Sequence, residues 1–212
     1  MEKETARIEA FSDGVFAIAI TLLILEIKIP GVGNGDLSRQ LLRQWPSYVA
    51  FVISFAFIGI MWINHHRLFT HIKRSSNVLL FLNLLLLLGV TAVPFPTAVL
   101  AQHFGQSDQR AAAILYHGTY FAIAVFFNIL WGYSSRHLLG READVSAAHT
   151  ISAQYALGPL LYLGCIALTW VNVRLSLLLN VALAAFFALP PHRAARVAGR
   201  SHQAPPATGE VR

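Results

Sequence analysis

Six residues sit oddly in their surroundings: Asp13, Thr21, Trp62, Asn64, His65 and His66 lie within long apolar runs. Asp13 precedes "GVFAIAITLLILEI", residues 14–27. An ionised carboxylate facing lipid is costly, so Asp13 must meet protein or water. An indole N–H and an imidazole N–H are donors that a carboxylate accepts. The expected arrangement is a network in which Asp13 accepts from Trp62, from a histidine, or from both, with Asn64 nearby. The alternative chemistry is a proton relay through Asp13 and the His65/His66 pair. Metal ligation is disfavoured, because adjacent histidines diverge on a helix and the useful spacing is i, i+4. Paired nucleophile and base, zinc-type helix motif and phosphate-binding loop are all missing from the sequence, which points away from an enzyme. No metal and no cofactor are expected.

The elements that position these residues follow from composition. The chain has 212 residues, 56% hydrophobic and 12% charged, against about 25% charged in soluble domains. Spanning helices need about 20 apolar residues. Six runs qualify, near residues 8–29, 46–69, 77–100, 112–134, 150–171 and 173–189. They are too long and too unalternating for barrel strands, and unpaired backbone does not cross lipid. The fold class is therefore an all-α membrane protein with six transmembrane helices in a unit covering residues 1–190. Residues 191–212 are rich in Pro, Ala and Arg and are expected to form a disordered cytoplasmic tail.

Of the 16 Lys and Arg residues, eleven fall on the side that would hold both termini and five on the other. That bias places both termini in the cytoplasm, and the cell membrane is the expected location. The net charge of +6 belongs to those loops. Aromatic residues do not interleave with the basic ones, so no nucleic-acid partner is expected. The lone Cys165 has no disulfide mate. In the first outer loop, residues 31–45, Asp36 is placed to cap a short interfacial helix. Pro94 and Pro96 should bend or end the third span. Asn83, Asn128 and Asn180 are expected to bridge helices.

On a helix of about 100° per residue, Phe11, Gly14, Ile18, Leu22, Leu25 and Ile29 share one narrow stripe. Thr21 sits at its edge, and Asp13 projects from nearly the opposite side. Two readings fit this spacing. The stripe packs against a neighbouring helix with Asp13 as a structural hub, or it lines a pore. Spacing alone does not separate them.

"RIEAFSD", residues 7–13, fits the pattern R-x-x-x-F-S-D through Arg7, Phe11, Ser12 and Asp13. With the apolar run that follows, and with "WINHHRLF" at residues 62–69, it resembles the transmembrane protein 175 family of lysosomal potassium channels and their prokaryotic relatives. The resemblance implies a potassium-permeable cation channel whose first helices line a central pore. It implies Ile18 as the narrowest ring, Leu22 and Leu25 as further rings toward the outside, and Thr21 as a polar layer beside them. One six-span unit per chain implies a homotetramer in the lipid bilayer, with potassium ions as the permeant species. No "TVGYG" filter sequence is present, so a ring of apolar side chains gating by dewetting, with modest potassium-over-sodium selectivity, is expected. The contrasting function is a proton-coupled secondary transporter using Asp13 and the His65/His66 region.

Overall fold

The computed structural model describes residues 5–31, 36–139 and 145–188. Among these residues there are helices and no extended strand: α1 Ala6–Leu22, α2 Leu37–Arg43, α3 Trp45–His71, α4 Asn77–Ala92, α5 Pro94–His103, α6 Gln109–His137, α7 Val145–Val171 and α8 Val173–Ala188. The protein is an all-α membrane protein. Five segments are long and apolar enough to cross a bilayer, with α4 and α5 counted as one. The shorter apolar α8 completes six. The expected tail, 191–212, lies outside the described residues.

The helix ends have local causes. Asp36 caps α2, accepting the Ser38 N–H at 3.0 Å, and Ser76 caps α4 through the Leu79 N–H at 3.1 Å. Pro94 occupies the first turn of α5, where its missing N–H breaks no helical bond. The third span is thereby split at Val93.

The first span departs from expectation. Its α-helix stops at Leu22, a 3-10 turn covers Leu23–Glu26, and Ile27 is extended. A 3-10 turn advances about 120° per residue. Three such steps set Leu25 over Leu22, still on the stripe, whereas Ile29 lies beyond the extended Ile27 and leaves the stripe drawn for an unbroken helix over 8–29.

Helix α1 packs against α3 and α4; α3 also meets α5 and α8; α6 meets α4, α5, α7 and α8. The core between them holds Phe16, Ile58, Leu68, Phe69, Leu86, Tyr120 and Leu130. At Gly89 the α4 backbone lies against side chains of α6: a β-carbon there would lie 2.8 Å from Ile123 Cγ1.

Candidate functional site

Helix α1 divides its residues between two surfaces. Ile8, Ser12, Phe16 and Ala19 are buried against α3 and α4. Their spacing, i, i+4, i+8 and i+11, is the period of one helix face. The apolar stripe lies on another face and stays open on the single chain. Phe11 is 57% exposed, Ile18 59%, Leu22 40% and Leu25 70%. Ala17 and Thr21 are exposed beside it. Thr21 donates its hydroxyl to the Ile18 carbonyl at 2.9 Å, which leaves the oxygen's lone pairs facing outward.

Behind this helix the polar residues form two clusters rather than one. In the first, Trp62 Nε1 donates to Asp13 Oδ1 at 2.8 Å. His66 stacks on Trp62 with ring centroids 6.3 Å apart. Helix α3 runs antiparallel to α1 in the bundle and so brings residue 62 level with residue 13. In the second cluster, His65 Nε2 donates to Asn83 Oδ1 at 2.9 Å. Asn83 Nδ2 donates to Ser12 Oγ at 2.9 Å, and Ser12 donates to the Ile8 carbonyl at 2.8 Å. All four groups in this second chain are buried or backbone, and each finds its partner. His65 is also held between rings, 5.4 Å from Phe16 and 4.4 Å from Phe69.

Asn64 belongs to neither cluster. Its Nδ2 donates to the Phe187 carbonyl of α8 at 3.1 Å, and Arg67 reaches its Oδ1 at 3.5 Å. Arg7 is exposed. Among the described residues no hydrogen bond joins Asp13 to His65 or His66. Of the four motif residues, only Ser12 is buried; Arg7, Phe11 and Asp13 face outward from the chain. No grouping of His, Cys, Asp and Glu able to hold a metal ion occurs among the described residues.

The three asparagines do bridge helices. Asn83 joins α4 to α1 and α3. Asn128 of α6 donates to the Tyr155 carbonyl of α7 at 2.7 Å. Asn180 of α8 meets His117 of α6 at 2.8 Å. Sequence reasoning placed Asn83 only as a generic bridge and did not single out His117. Its signal was a histidine inside the apolar stretch of 112–134, a polar group that must find a partner in a spanning helix.

The sequence model described as "Endosomal/lysosomal potassium channel TMEM175" matches residues 7–94. A potassium channel of Chamaesiphon minutus is 49% identical over 193 residues, which cover 89% of this chain and 95% of that protein. A potassium channel of Streptomyces collinus is 46% identical over 188 residues, covering 87% and 91%. A crystal structure described as a lysosomal potassium-selective channel TMEM175 homolog from Chamaesiphon minutus superposes with a TM-score of 0.80 at 48% identity, covering 89% of this chain and 98% of that one. The family model spans the first-helix motif and the residues of the two polar clusters, the relatives cover most of the chain, and the chain belongs to the TMEM175 family.

Proposed function

We propose that this protein is a potassium-permeable cation channel that assembles as a homotetramer, with α1 of each copy lining a central pore. The observation that carries the reading is the open face of α1. A spanning helix that buries one side against its own bundle while leaving Phe11, Ile18, Leu22 and Leu25 uncovered has a surface for either lipid or an axis. Relatives named potassium channels over nearly the whole chain favour the axis. These relatives are ion channels, not enzymes.

In this reading Ile18 forms the narrowest ring, and Leu22 and Leu25 form further rings toward the outside. Three apolar rings of four side chains each exclude water when narrow and admit a hydrated ion when wide. Thr21 supplies a polar layer, because its oxygen keeps lone pairs after donating to the Ile18 carbonyl. With one such layer and no carbonyl filter, selectivity for potassium over sodium is modest. Of the RxxxFSD residues, Ser12 and Asp13 hold the pore helix, Ser12 through Asn83 and His65 and Asp13 through Trp62; Phe11 lies on the open face and Arg7 is exposed at the start of α1, while His66 and Asn64 extend the support along α3. The remaining partners are the lipid bilayer and the permeant potassium ions. No cofactor takes part, and nucleic acid is no partner. The protein sits in the cell membrane with both termini in the cytoplasm, consistent with the positive-inside bias.

The transporter reading needs a continuous relay through Asp13 and the histidines. The hydrogen bonds instead end Asp13 on Trp62 and end the His65 chain on the Ile8 carbonyl. Purified protein in potassium-loaded liposomes separates the two. A channel dissipates the potassium gradient with no proton gradient present. Potassium efflux that occurs only in exchange for protons would establish the transporter instead.

A further inference from the structure

The turn between α3 and α4 and the end of α6 are joined outside the helices. Ile72 and Leu139 form an antiparallel bridge, and the Lys73 N–H donates to the Leu138 carbonyl at 3.1 Å. Tyr133 of α6 and Ser76, the cap of α4, share a hydroxyl–hydroxyl hydrogen bond at 3.1 Å. His137 stacks on Tyr133 with ring centroids 4.8 Å apart. Ile72 and Leu138 are buried under the join. Lys73 and Arg74 on the turn, and Arg136 and His137 on the helix end, therefore stand along one fixed edge. All four are exposed.

The charges on this edge are uncompensated. Among the described residues no carboxylate pairs with Lys73, Arg74 or Arg136; the ion pair His103–Asp108 lies at the opposite end of the bundle. Lys73 commits one ammonium proton to the Thr70 carbonyl at 2.8 Å and keeps two. Neither guanidinium donates to any described residue. Arg67 differs, because it is half-buried and reaches Asn64.

The apolar surface of the bundle starts at the same level. Val78 and Phe81 of α4 follow closely on Arg74 and are 47% and 61% exposed. Tyr133 presents both a ring and a hydroxyl there, as side chains at a bilayer–water boundary do. A ligand held on this edge has its charged end in water and its remainder in the bilayer, which describes a lipid and not a free anion. A zwitterionic headgroup would bring an ammonium against three unpaired cations. An anionic headgroup brings only the phosphate, which guanidinium groups take in bidentate fashion.

We propose that this edge binds the headgroup of an anionic phospholipid, with its phosphate between Arg74 and Arg136 and with Lys73 alongside. The edge is complete within one copy of the chain, so binding depends neither on conduction nor on the tetramer.

Phosphatidylglycerol is the probe, and phosphatidylcholine with the same acyl chains is its comparison. Native mass spectrometry of the full-length protein in detergent reads the bound lipid at each concentration. Phosphatidylglycerol should bind saturably and more tightly than phosphatidylcholine. Arg74→Gln and Arg136→Gln should each weaken it by about fivefold, and together by about 25-fold, as expected for basic residues facing anionic lipid. Arg39→Gln with Arg43→Gln removes the same charge from the opposite end, on α2, and should leave binding unchanged. Arg74→Lys with Arg136→Lys should restore most of the loss. Gel filtration identifies any variant that fails to fold, and the comparison of the two lipids on the unaltered protein then carries the test. Equal binding of the two lipids, an unchanged affinity in the double glutamine variant, or an equal loss in the α2 variant would each overturn the proposal. Displacement of phosphatidylglycerol by inorganic phosphate at equal concentration would assign the edge to a free anion and overturn it as well.

Discussion

Asp13 and Trp62 make the hydrogen bond on which the residue-scale account turns. A carboxylate accepting from an indole N–H is a charge-assisted bond, worth about 1.5–3 kcal/mol. Asp13 is exposed on the single chain, so the low end applies. Trp62→Phe should lower the thermal stability of the detergent-solubilised protein by about 1.5 kcal/mol, and Asp13→Asn, which keeps an acceptor oxygen for the indole N–H, by less. The double substitution should cost little more than Trp62→Phe alone, because both act on the same contact. Additive losses would show that the two residues act separately. A normal melt of Asp13→Asn with altered conductance would make Asp13 an ion-binding group instead of a support. This pairing was legible in the sequence, because antiparallel spans with matched lengths bring positions 13 and 62 level. Of the alternatives the sequence left open, a tryptophan, a histidine or both, the structure shows the tryptophan. Which of Trp62, His65 and His66 points at α1 depends on the rotation of α3, and a span apolar on nearly every side does not reveal its rotation.

At the scale of elements, the bond chain from His65 through Asn83 and Ser12 ties α3, α4 and α1 together. Helix α4 reads "NVLLFLNLLLLLGVTA", apolar all round except at its first residue, Asn77, and at Asn83 and Thr91. Hydropathy therefore located the helix but not the face that turns inward. Asn83→Leu should remove two buried hydrogen bonds and leave Ser12 and His65 with unsatisfied groups. A loss of about 2–4 kcal/mol is expected, at about 1–2 per bond, read as a lower melting temperature. A neutral result would show that this chain contributes nothing to the packing of α1. The end of α1 was equally hidden. Leucine and isoleucine continue through the 3-10 turn at Leu23–Glu26, so composition gives no break where the geometry changes.

The α5–α6 turn offers a pH test of local structure. His103 Nδ1 lies 2.7 Å from Asp108 Oδ2. That hydrogen bond holds the Asp108 carboxyl below its ordinary range. A carboxylate depressed in the folded state contributes stability above its unfolded pKa and loses it as pH falls through the folded one. Asp108 is fully exposed, so the effect is small. The melting-temperature gap between the protein and Asp108→Asn should shrink toward zero as pH falls below the usual carboxylate range. A gap that persists at the lowest pH would mean that the ion pair is not its source.

For the whole molecule, one chain supplies one α1, and a single helix cannot enclose an axis with the same seam on every side. Closed cyclic symmetry is the usual remedy. Four copies would bring four Ile18 side chains together and turn the exposed stripe inward. The six-span layout was visible in hydropathy because about 20 apolar residues per crossing is a strong constraint. Assembly was not visible in this way, because a stripe facing lipid and a stripe facing an axis are equally apolar. The most direct measurement is potassium flux through Ile18→Cys in liposomes, before and after a water-soluble, positively charged thiol reagent. Ala19→Cys, buried against the bundle, is the control, and the unmodified protein tests the buried Cys165. Rapid block of Ile18→Cys, with both controls unaffected, is the predicted result. Undiminished flux through a fully modified Ile18→Cys protein would contradict a pore lined by α1.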